Sequence, residues 1–563
     1  MPNYKIYIEN RYETWKIFKD VTFDDVDYDI DPMKEKLFSD DVFNDDNGIN
    51  IIHSTTRNFK SIPGVLVLDK NKTYGKKKNK FLYRCIPDDV RLPTFLIPYE
   101  IKNMGFSKKM ENKYVTFNFE NWNSQHPHGS LLNNIGDVDK LENFYEYQLY
   151  CKSLNASIQK FSRNTAKVLK EKSEEDLIYL IMKKHTSIEN RVDTHNIFTI
   201  DSTHTADYDD ALSIKETEEG YKKISIYISN VSIWMDVLNL WESFSDRVAT
   251  IYLPDRKRPM IPTSLSECLC SLKQQTLRFA FCVDFIINDD EIVDVSYKNT
   301  LIKVNKNFVY EESKLLNDND YKLLKENVIK LSKKYKYMQH CCTSYDVVAY
   351  FMVLMNCYCS KEMIKDKNGI YRSVILTKKS SLPTHLPDDV VKFLKVWNSS
   401  SGQYILHSDE MKHEILNMDN YIHMTSPIRR LVDLLNMIRF QKNLDMIQLS
   451  NSAYEFYDKW IAKLSYINVT MRAIRKIQCD CNLLHYYTTN EEVLEQNYEG
   501  FLFDKLKRND GLYQYIVYLP KLKMTSRITL RDDKEDYSSS YFKLYMFMNE
   551  AKLKKKIRLM IVN

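Results

Sequence analysis

No run of about 18 uninterrupted apolar residues occurs anywhere in the sequence, so no helix is expected to cross a membrane. Met1 to Asn10 has neither a basic start nor an apolar stretch, which excludes a secretory signal peptide. Eleven cysteines are present, yet the pairs Cys268/Cys270, Cys357/Cys359 and Cys479/Cys481 are separated by one residue, and no two-residue-spaced pairs face each other as a zinc ribbon requires. A zinc site is therefore not expected. Their odd number and their scatter through apolar helical stretches also exclude a disulfide framework, so the thiols read as reduced and mostly buried. No repeat of fixed period and no low-complexity tract stands out. These absences leave a soluble, cytoplasmic or otherwise intracellular protein as the expectation.

What is present is a chain of 563 residues, too long for one hydrophobic core, which stops growing at roughly 250–300 residues. The apolar fraction of 44% and the charged fraction of 28% are ordinary for a folded protein and exclude global disorder. Lys and Arg total 81 against 76 Asp and Glu, and a net charge of +5 is only a mild lean toward polyanions. The placement of the charges must decide.

Residues 1–50 end in an acidic stretch (Asp40, Asp41, Asp45, Asp46) and an Asn47-Gly48 turn signal, which reads as a connection or loop. From 51 to 140, short apolar alternations such as Gly64–Leu68 and Lys113–Phe117 recur between turn signals and predict a small β-barrel. Within it, Lys70, Lys72, Lys76, Lys77, Lys78 and Lys80 surround Tyr74. Such a run is either a solvated hairpin tip or a basic grip on an oligonucleotide. Residues 141–189 form a helical connector, with apolar residues at helical spacing from Ala166 to His185. The block 190–488 opens on strands such as Ile224–Ile228 and continues into amphipathic helices. Over 345–365, Val348, Phe351, Met352 and Met355 keep the helical period, and an α+β catalytic domain follows. Strand texture returns over 489–563, in Phe501–Phe503 and Tyr513–Leu519, and ends on Lys552, Lys554, Lys555, Lys556 and Arg558, as a second barrel would.

Asp201, Asp207, Asp209 and Asp210 place four carboxylates within ten residues. Packed closely they repel, so they are either an exposed acidic turn or the ligands of a hard divalent cation such as magnesium. Apolar runs on both sides, Ile197–Ile200 and Ala211–Ile214, tie the cluster to buried strands and favour the second reading. The loop lacks the central glycine and closing glutamate of an EF-hand. Downstream, Ser426 reads as an N-cap and Pro427 as the first residue of a helix with Leu431, Leu434, Leu435 and Ile438 on its apolar face. Arg429 and Arg430 would then stand in the first turn, where cations are disfavoured unless an anion joins them. They form a phosphate receptor, or one of them pairs with Asp433. Tyr252, in Val248–Pro254, reads as a half-buried strand tyrosine that could also stack on bases.

Three separated blocks resemble the RNase II/RNase R superfamily, in its order: Thr199-Ile200-Asp201 through Asp209-Asp210-Ala211-Leu212, Tyr252-Leu253-Pro254 through Leu269-Cys270-Ser271-Leu272, and Tyr421 through Thr425-Ser426-Pro427-Ile428-Arg429-Arg430. Ile86–Pro93 and the Asn121–Gly136 region also resemble the cold-shock-like barrel of the exosome-type members. The resemblance covers most of the chain from about residue 51. It implies a central catalytic domain flanked by OB-type barrels, with Asp201, Asp207, Asp209 and Asp210 as magnesium ligands, manganese being an alternative. Asp209, Asp210 and Arg429 become catalytic residues, and Tyr252, Tyr310, Arg430, Lys76, Lys77 and Lys78 contact single-stranded RNA. The implied activity is 3′-to-5′ exoribonucleolytic hydrolysis to nucleoside 5′-monophosphates, with no action on DNA and no membrane partner.

The sequence departs from the family where Asn230 replaces a carboxylate, where Ala349 and Tyr350 replace glutamates, and at Gln478, near another commonly acidic position. These departures motivate a second hypothesis, a catalytically weak RNA-binding adaptor with the same fold. A third, a structural cation in the acidic loop with barrels that bind a protein, leaves the two arginines unexplained. Residues 1–50 are too short for the endonuclease domain of the exosome subunit, so endonuclease activity is not expected, and they suggest a truncated first barrel.

Overall fold

The computed structural model describes residues 3–46, 48–101, 110–337, 342–376, 382–399, 402–408, 410–490, 492–549 and 554–562. Met1, Asn47 and Lys552, named above, lie outside them. The chain divides into two compact units, one of residues 1–155, 253–255 and 476–563 and the other of 156–252 and 256–475.

The first unit carries small sheets. Tyr4–Glu9 is central to five antiparallel strands within residues 4–53. In residues 62–137, Ile62–Leu66 pairs with both Lys113–Asn121 and Lys80–Pro87. That double pairing closes a five-stranded barrel, as the alternating sequence predicts. The crowding at closure falls on Gly64, where a Cβ would stand 2.9 Å from Cys85 Sγ and 3.0 Å from the Ile86 carbonyl. The two sheets share a core in which Phe38 lies against Phe95 and Trp122. Asn497–Ile561 forms another five-stranded antiparallel sheet around Leu502, Tyr515, Val517 and Phe542.

The second unit is α+β. Its seven-stranded sheet runs in the order Glu189–Asn190, Glu291–Lys303, Leu277–Asn288, Lys222–Ser229, Asp210–Glu216, Phe198–Asp201, Lys306–Val309. Alternation decides its faces. Ile224, Ile226 and Ile228 point into a large core with Phe281, Val283 and Phe285, while Ser225 and Tyr227 point the other way. That core is covered by helices Asn319–Lys334, Ser344–Met363 and Leu431–Asn443. The segment Ser344–Asp366 is long and apolar enough to cross a membrane by composition, but 61% of its most apolar window is buried within the protein. On the opposite face Arg191, fully buried, binds Asp284 through both terminal nitrogens at 2.8 and 2.7 Å. The helical connector is interrupted. The period read from Ala166 to His185 breaks at Ser173, whose side chain caps Glu174–Lys184 in a capping box with Asp176, because a reciprocal cap starts a new helix more favourably than it continues an old one.

Candidate active site

Asp201 ends the strand Phe198–Asp201 and Asp210 begins Asp210–Glu216. The two strands are antiparallel, with Phe198 opposite Leu212, so their acidic ends arrive at the same end of the sheet. On the other side Lys306–Val309 runs parallel with Val309 beside Asp201, and the Tyr310 N–H donates to the Asp201 carbonyl at 2.9 Å. The intervening loop is clamped by Ser271, which accepts from the Tyr208 N–H at 3.0 Å and donates to the Ala206 carbonyl at 2.9 Å.

Asp209 is buried, and each of its oxygens is claimed by one segment. Oδ1 accepts from the Ile428 N–H at 3.0 Å and Oδ2 from Arg429 Nε at 2.9 Å. The segment that carries Arg429 is itself fixed: the Thr250 N–H donates to the Arg429 carbonyl, the Leu431 N–H donates to Val248, and Asn356 Nδ2 donates to the Tyr421 hydroxyl while its Oδ1 accepts from the Met424 N–H. The helix expected to start at Pro427 begins instead at Leu431, with Arg430 as its cap. Residues 427–429 are a turn, because the Ser426 N–H is taken by buried Asp433 and the chain is held extended at Arg430 by a bridge to Ala249. The arginines therefore precede the helix. Arg430 pairs with Asp433 at 2.9 Å, whereas the Arg429 side chain, held by Asp209 at its Nε edge, stays 45% exposed.

Electrostatics divides the quartet. Lys257 Nζ lies 2.7 Å from Asp207 Oδ1, and Arg429 serves Asp209. Asp201 Oδ2 is buried and receives no hydrogen bond. Burial, reinforced by Asp210 and Asp209, pushes the Asp201 carboxyl up to about 8. Burial raises Asp209 to about 7 and Asp210 to about 6, with Arg429 opposing both shifts. Carboxylates held this far from their ordinary range lack positive charge. A hard divalent cation suits such donors, and the unbonded Asp201 oxygen is where one fits. Among the described residues no three acidic, histidine or cysteine side chains form a ready-made cage, since Asp207 and Asp209 are turned to protein cations.

Residues 190–341 match the family described as RNB domain. The RNB likeness therefore covers the stretch that carries the four aspartates and ends before Arg429. It is 27% identical over 265 residues to the human exosome complex exonuclease RRP44, an alignment spanning 46% of this chain and 26% of that relative. The chain thus covers about a quarter of the length of the first curated relatives it matches. Its fold is similar to Mycoplasma genitalium RNase R solved with ribose-methylated single-stranded RNA, at a TM-score of 0.70 and 14% identity over 99% of this chain and 100% of that one. It is also similar to yeast Ssd1, a pseudonuclease, at a TM-score of 0.61 and 13% identity over 96% and 80% of the two chains.

Around the acidic end of the sheet the aromatic residues take defined places. Tyr252 is 40% exposed with its hydroxyl 3.5 Å from Asp207 Oδ2. Tyr310, whose hydroxyl is raised by burial and by Asp210 and Asp201, stacks on Tyr345 with centroids 3.7 Å apart. Tyr345 was not singled out by its periodicity; the signal available was the cap that precedes it, Thr343 with Asp346 three residues on. Lys257 and Glu267, 2.8 Å apart, were also missed, because only the hairpin pairing of Tyr252 with Lys257 brings them to the acids. Lys76, Lys77 and Lys78 belong to the other unit. There Lys76 lies over the Phe81 ring at 4.6 Å and Lys77 pairs with Glu120 at 2.6 Å.

The departures are structural in part. Asn230 is fully buried and makes four side-chain hydrogen bonds, accepting from Ser232 and Ile233 and donating to Asn299 and Gln441. A carboxylate could not make the two donations. Tyr350 is buried with its hydroxyl on the Tyr335 carbonyl.

Proposed function

We propose that the protein is a 3′-to-5′ exoribonuclease that hydrolyses single-stranded RNA to nucleoside 5′-monophosphates with magnesium, or alternatively manganese. One observation carries this reading: Asp209 grips Arg429 by Nε and leaves its side chain 45% exposed, near enough to Asp201 and Asp210 for its charge to act on both carboxyls. A fork so held is pre-oriented for a phosphate and costs no reorganisation when negative charge develops there. Asp201 and Asp210 would hold the ion, and bound magnesium supplies Lewis acidity and charge neutralisation at the phosphate. Asp209 positions Arg429. The exposed ring of Tyr252 and the Tyr310–Tyr345 stack offer π-faces to the terminal bases, which suits single strands whose bases are unstacked. In the reaction a water oxygen bonds to phosphorus, the bond to the 3′-oxygen breaks, and that oxygen takes a proton, which leaves a 5′-monophosphate.

A 5′-labelled single-stranded RNA incubated with magnesium or with chelator tests the reading. Metal-dependent shortening from the 3′ end, lost in Asp209→Asn, is expected. The second reading, an RNA-binding adaptor, is motivated by the likeness to a pseudonuclease and by Tyr350 standing in the core. Tight RNA binding without shortening would favour it.

A further inference from the structure

Asp207 differs from the other acids in carrying its own counter-ion. The hairpin Ile251–Tyr252/Lys257–Arg258 sets Lys257 opposite Tyr252, and from there the ammonium reaches Asp207 Oδ1 at 2.7 Å and Glu267 Oε1 at 2.8 Å. This is not a surface pair of small consequence. The Asp207 side chain is 8% exposed and that of Lys257 is 25% exposed, and the second Asp207 oxygen faces the Tyr252 hydroxyl. Two protein donors thus face both Asp207 oxygens, while a buried oxygen of Asp201 receives none.

We propose that Lys257, held by Glu267, is the resident cation of the Asp207 side of this centre, so that the chain binds a single divalent ion, at Asp201 and Asp210, and the ammonium takes the place of a second. The inference rests on the magnesium reading above. Two-ion phosphodiester sites set their cations about 3.5–4 Å apart to share the charge of the attacking and leaving oxygens. A fixed ammonium supplies part of that charge with no dependence on metal concentration. Lys257 is a positioning residue here: it acts through Asp207 by keeping that carboxylate out of the ion's coordination. Only the Asp201 and Asp210 side then needs metal.

Titration of the full chain with Mn2+, followed by the electron paramagnetic resonance signal of the free ion, tests this. Wild type should bind about one ion per chain, Lys257→Met and Lys257→Gln about two, and Lys257→Arg about one again. Lys257→Gln keeps a hydrogen-bond donor to Asp207 without the charge, so the test survives if Lys257→Met fails to fold. Asp207→Asn should leave the single ion and its affinity within about twofold, whereas Asp201→Asn removes it. In wild type the rate of RNA shortening should rise with magnesium with a Hill coefficient of about 1. Two ions in wild type, or one ion in both neutral Lys257 variants, overturns the inference and leaves the magnesium reading standing. No ion in any variant overturns both.

Discussion

Arg429 and Asp209 meet on one edge only: Nε donates to Oδ2 at 2.9 Å, the carboxylate is 4% exposed and the arginine side chain 45% exposed. The same carboxylate accepts from the Ile428 N–H, so the backbone and the side chain of adjacent residues are fixed by one acid from a distant strand. A lysine at 429 would keep the charge but has no Nε edge to anchor and no fork to present. Arg429→Lys is therefore expected to lower kcat by about 10²–10³ with little change in KM, as loss of a pre-organised donor does. Single-turnover cleavage of a short labelled RNA measures it, and a loss under about threefold would contradict the assignment of Arg429 to the phosphate.

The raised carboxyls give the metal-free protein a pH dependence of definite sign. Unfolded, Asp201 titrates near 4. Folded, burial with Asp210 and Asp209 raises it to about 8. The folded state therefore holds a proton that the unfolded state has lost, and stability falls as pH rises from about 4 toward 8. Histidines complicate the acidic half of that window, so the informative range is about pH 7 to 8, where unfolded histidine is mostly neutral. In chelator the Tm of wild type should drop across this range, and Asp201→Asn should flatten the drop and raise the Tm at pH 8. Magnesium should raise the Tm of wild type but not that of Asp201→Asn. An identical pH slope in the two proteins would show that Asp201 is not the strained carboxyl.

The placing of Asp201 and Asp210 at strand ends is legible in the sequence, and the reason is local. Asp201 and Asp210 stand at the ends of apolar runs, and the period of those runs makes them strands whose ends carry the acids. The closed barrel was legible from the same alternation. What failed was the start of the arginine helix. Ser426-Pro427 has the chemistry of a helix start, but the Ser426 N–H is taken by Asp433 and the chain at Arg430 by Ala249, contacts with no local signature. Lys257 and Tyr345 were missed for the same reason, since what brings each to the acids is a hairpin or a helix docked from elsewhere in the unit.

Tyr345 supplies a third prediction. It is 53% exposed, and Tyr310 lies under it in a stacked pair. A partly open aromatic pair beside the acids suits a terminal base, and such stacking is worth about 1–3 kcal/mol per base. Tyr345→Ala should weaken binding of a short single-stranded RNA by about 5- to 160-fold, and Tyr345→Phe should restore it. Fluorescence anisotropy in chelator separates this from turnover. Equal affinity in the alanine variant would remove Tyr345 from the RNA path.

The basic hairpin of the first unit should divide in its response to salt. Lys77 is paired with Glu120 at 2.6 Å and half-buried, whereas Lys76 and Lys78 are exposed. Each lysine that displaces a counter-ion from RNA contributes roughly 0.7 to the slope of log affinity against log salt for a single strand. Lys76→Ala and Lys78→Ala should each lower the slope by about that amount, and Lys77→Ala by less, because its charge is already matched. An unchanged slope in all three would make the run a solvated hairpin tip.

Asn230 offers the sharpest separation of the enzyme from the adaptor. As a lost carboxylate it would mark a decaying site, and restoring the acid should then raise activity. The hydrogen bonds argue the reverse. Nδ2 donates to Asn299 Oδ1 and Gln441 Oε1, both 2.9 Å away and all three residues buried. Asn230→Asp would set its carboxylate against Gln441 Oε1, whose amide nitrogen is committed to Ser232 and the Met437 carbonyl, and bury a charge with no cation hydrogen-bonded to it in the network. A buried polar group left unsatisfied costs about 1–3 kcal/mol, and more when charged. The variant should therefore unfold at lower denaturant, with its unfolding free energy reduced by about 1–3 kcal/mol, and gain no RNA shortening at temperatures where it stays folded. A stable and faster Asn230→Asp would mean that the amide network is dispensable and that the substitution cost the enzyme activity. A destabilised variant with unchanged or lower turnover would mean that Asn230 is part of how this core is built, and that the four aspartates and Arg429 do not depend on a further carboxylate there.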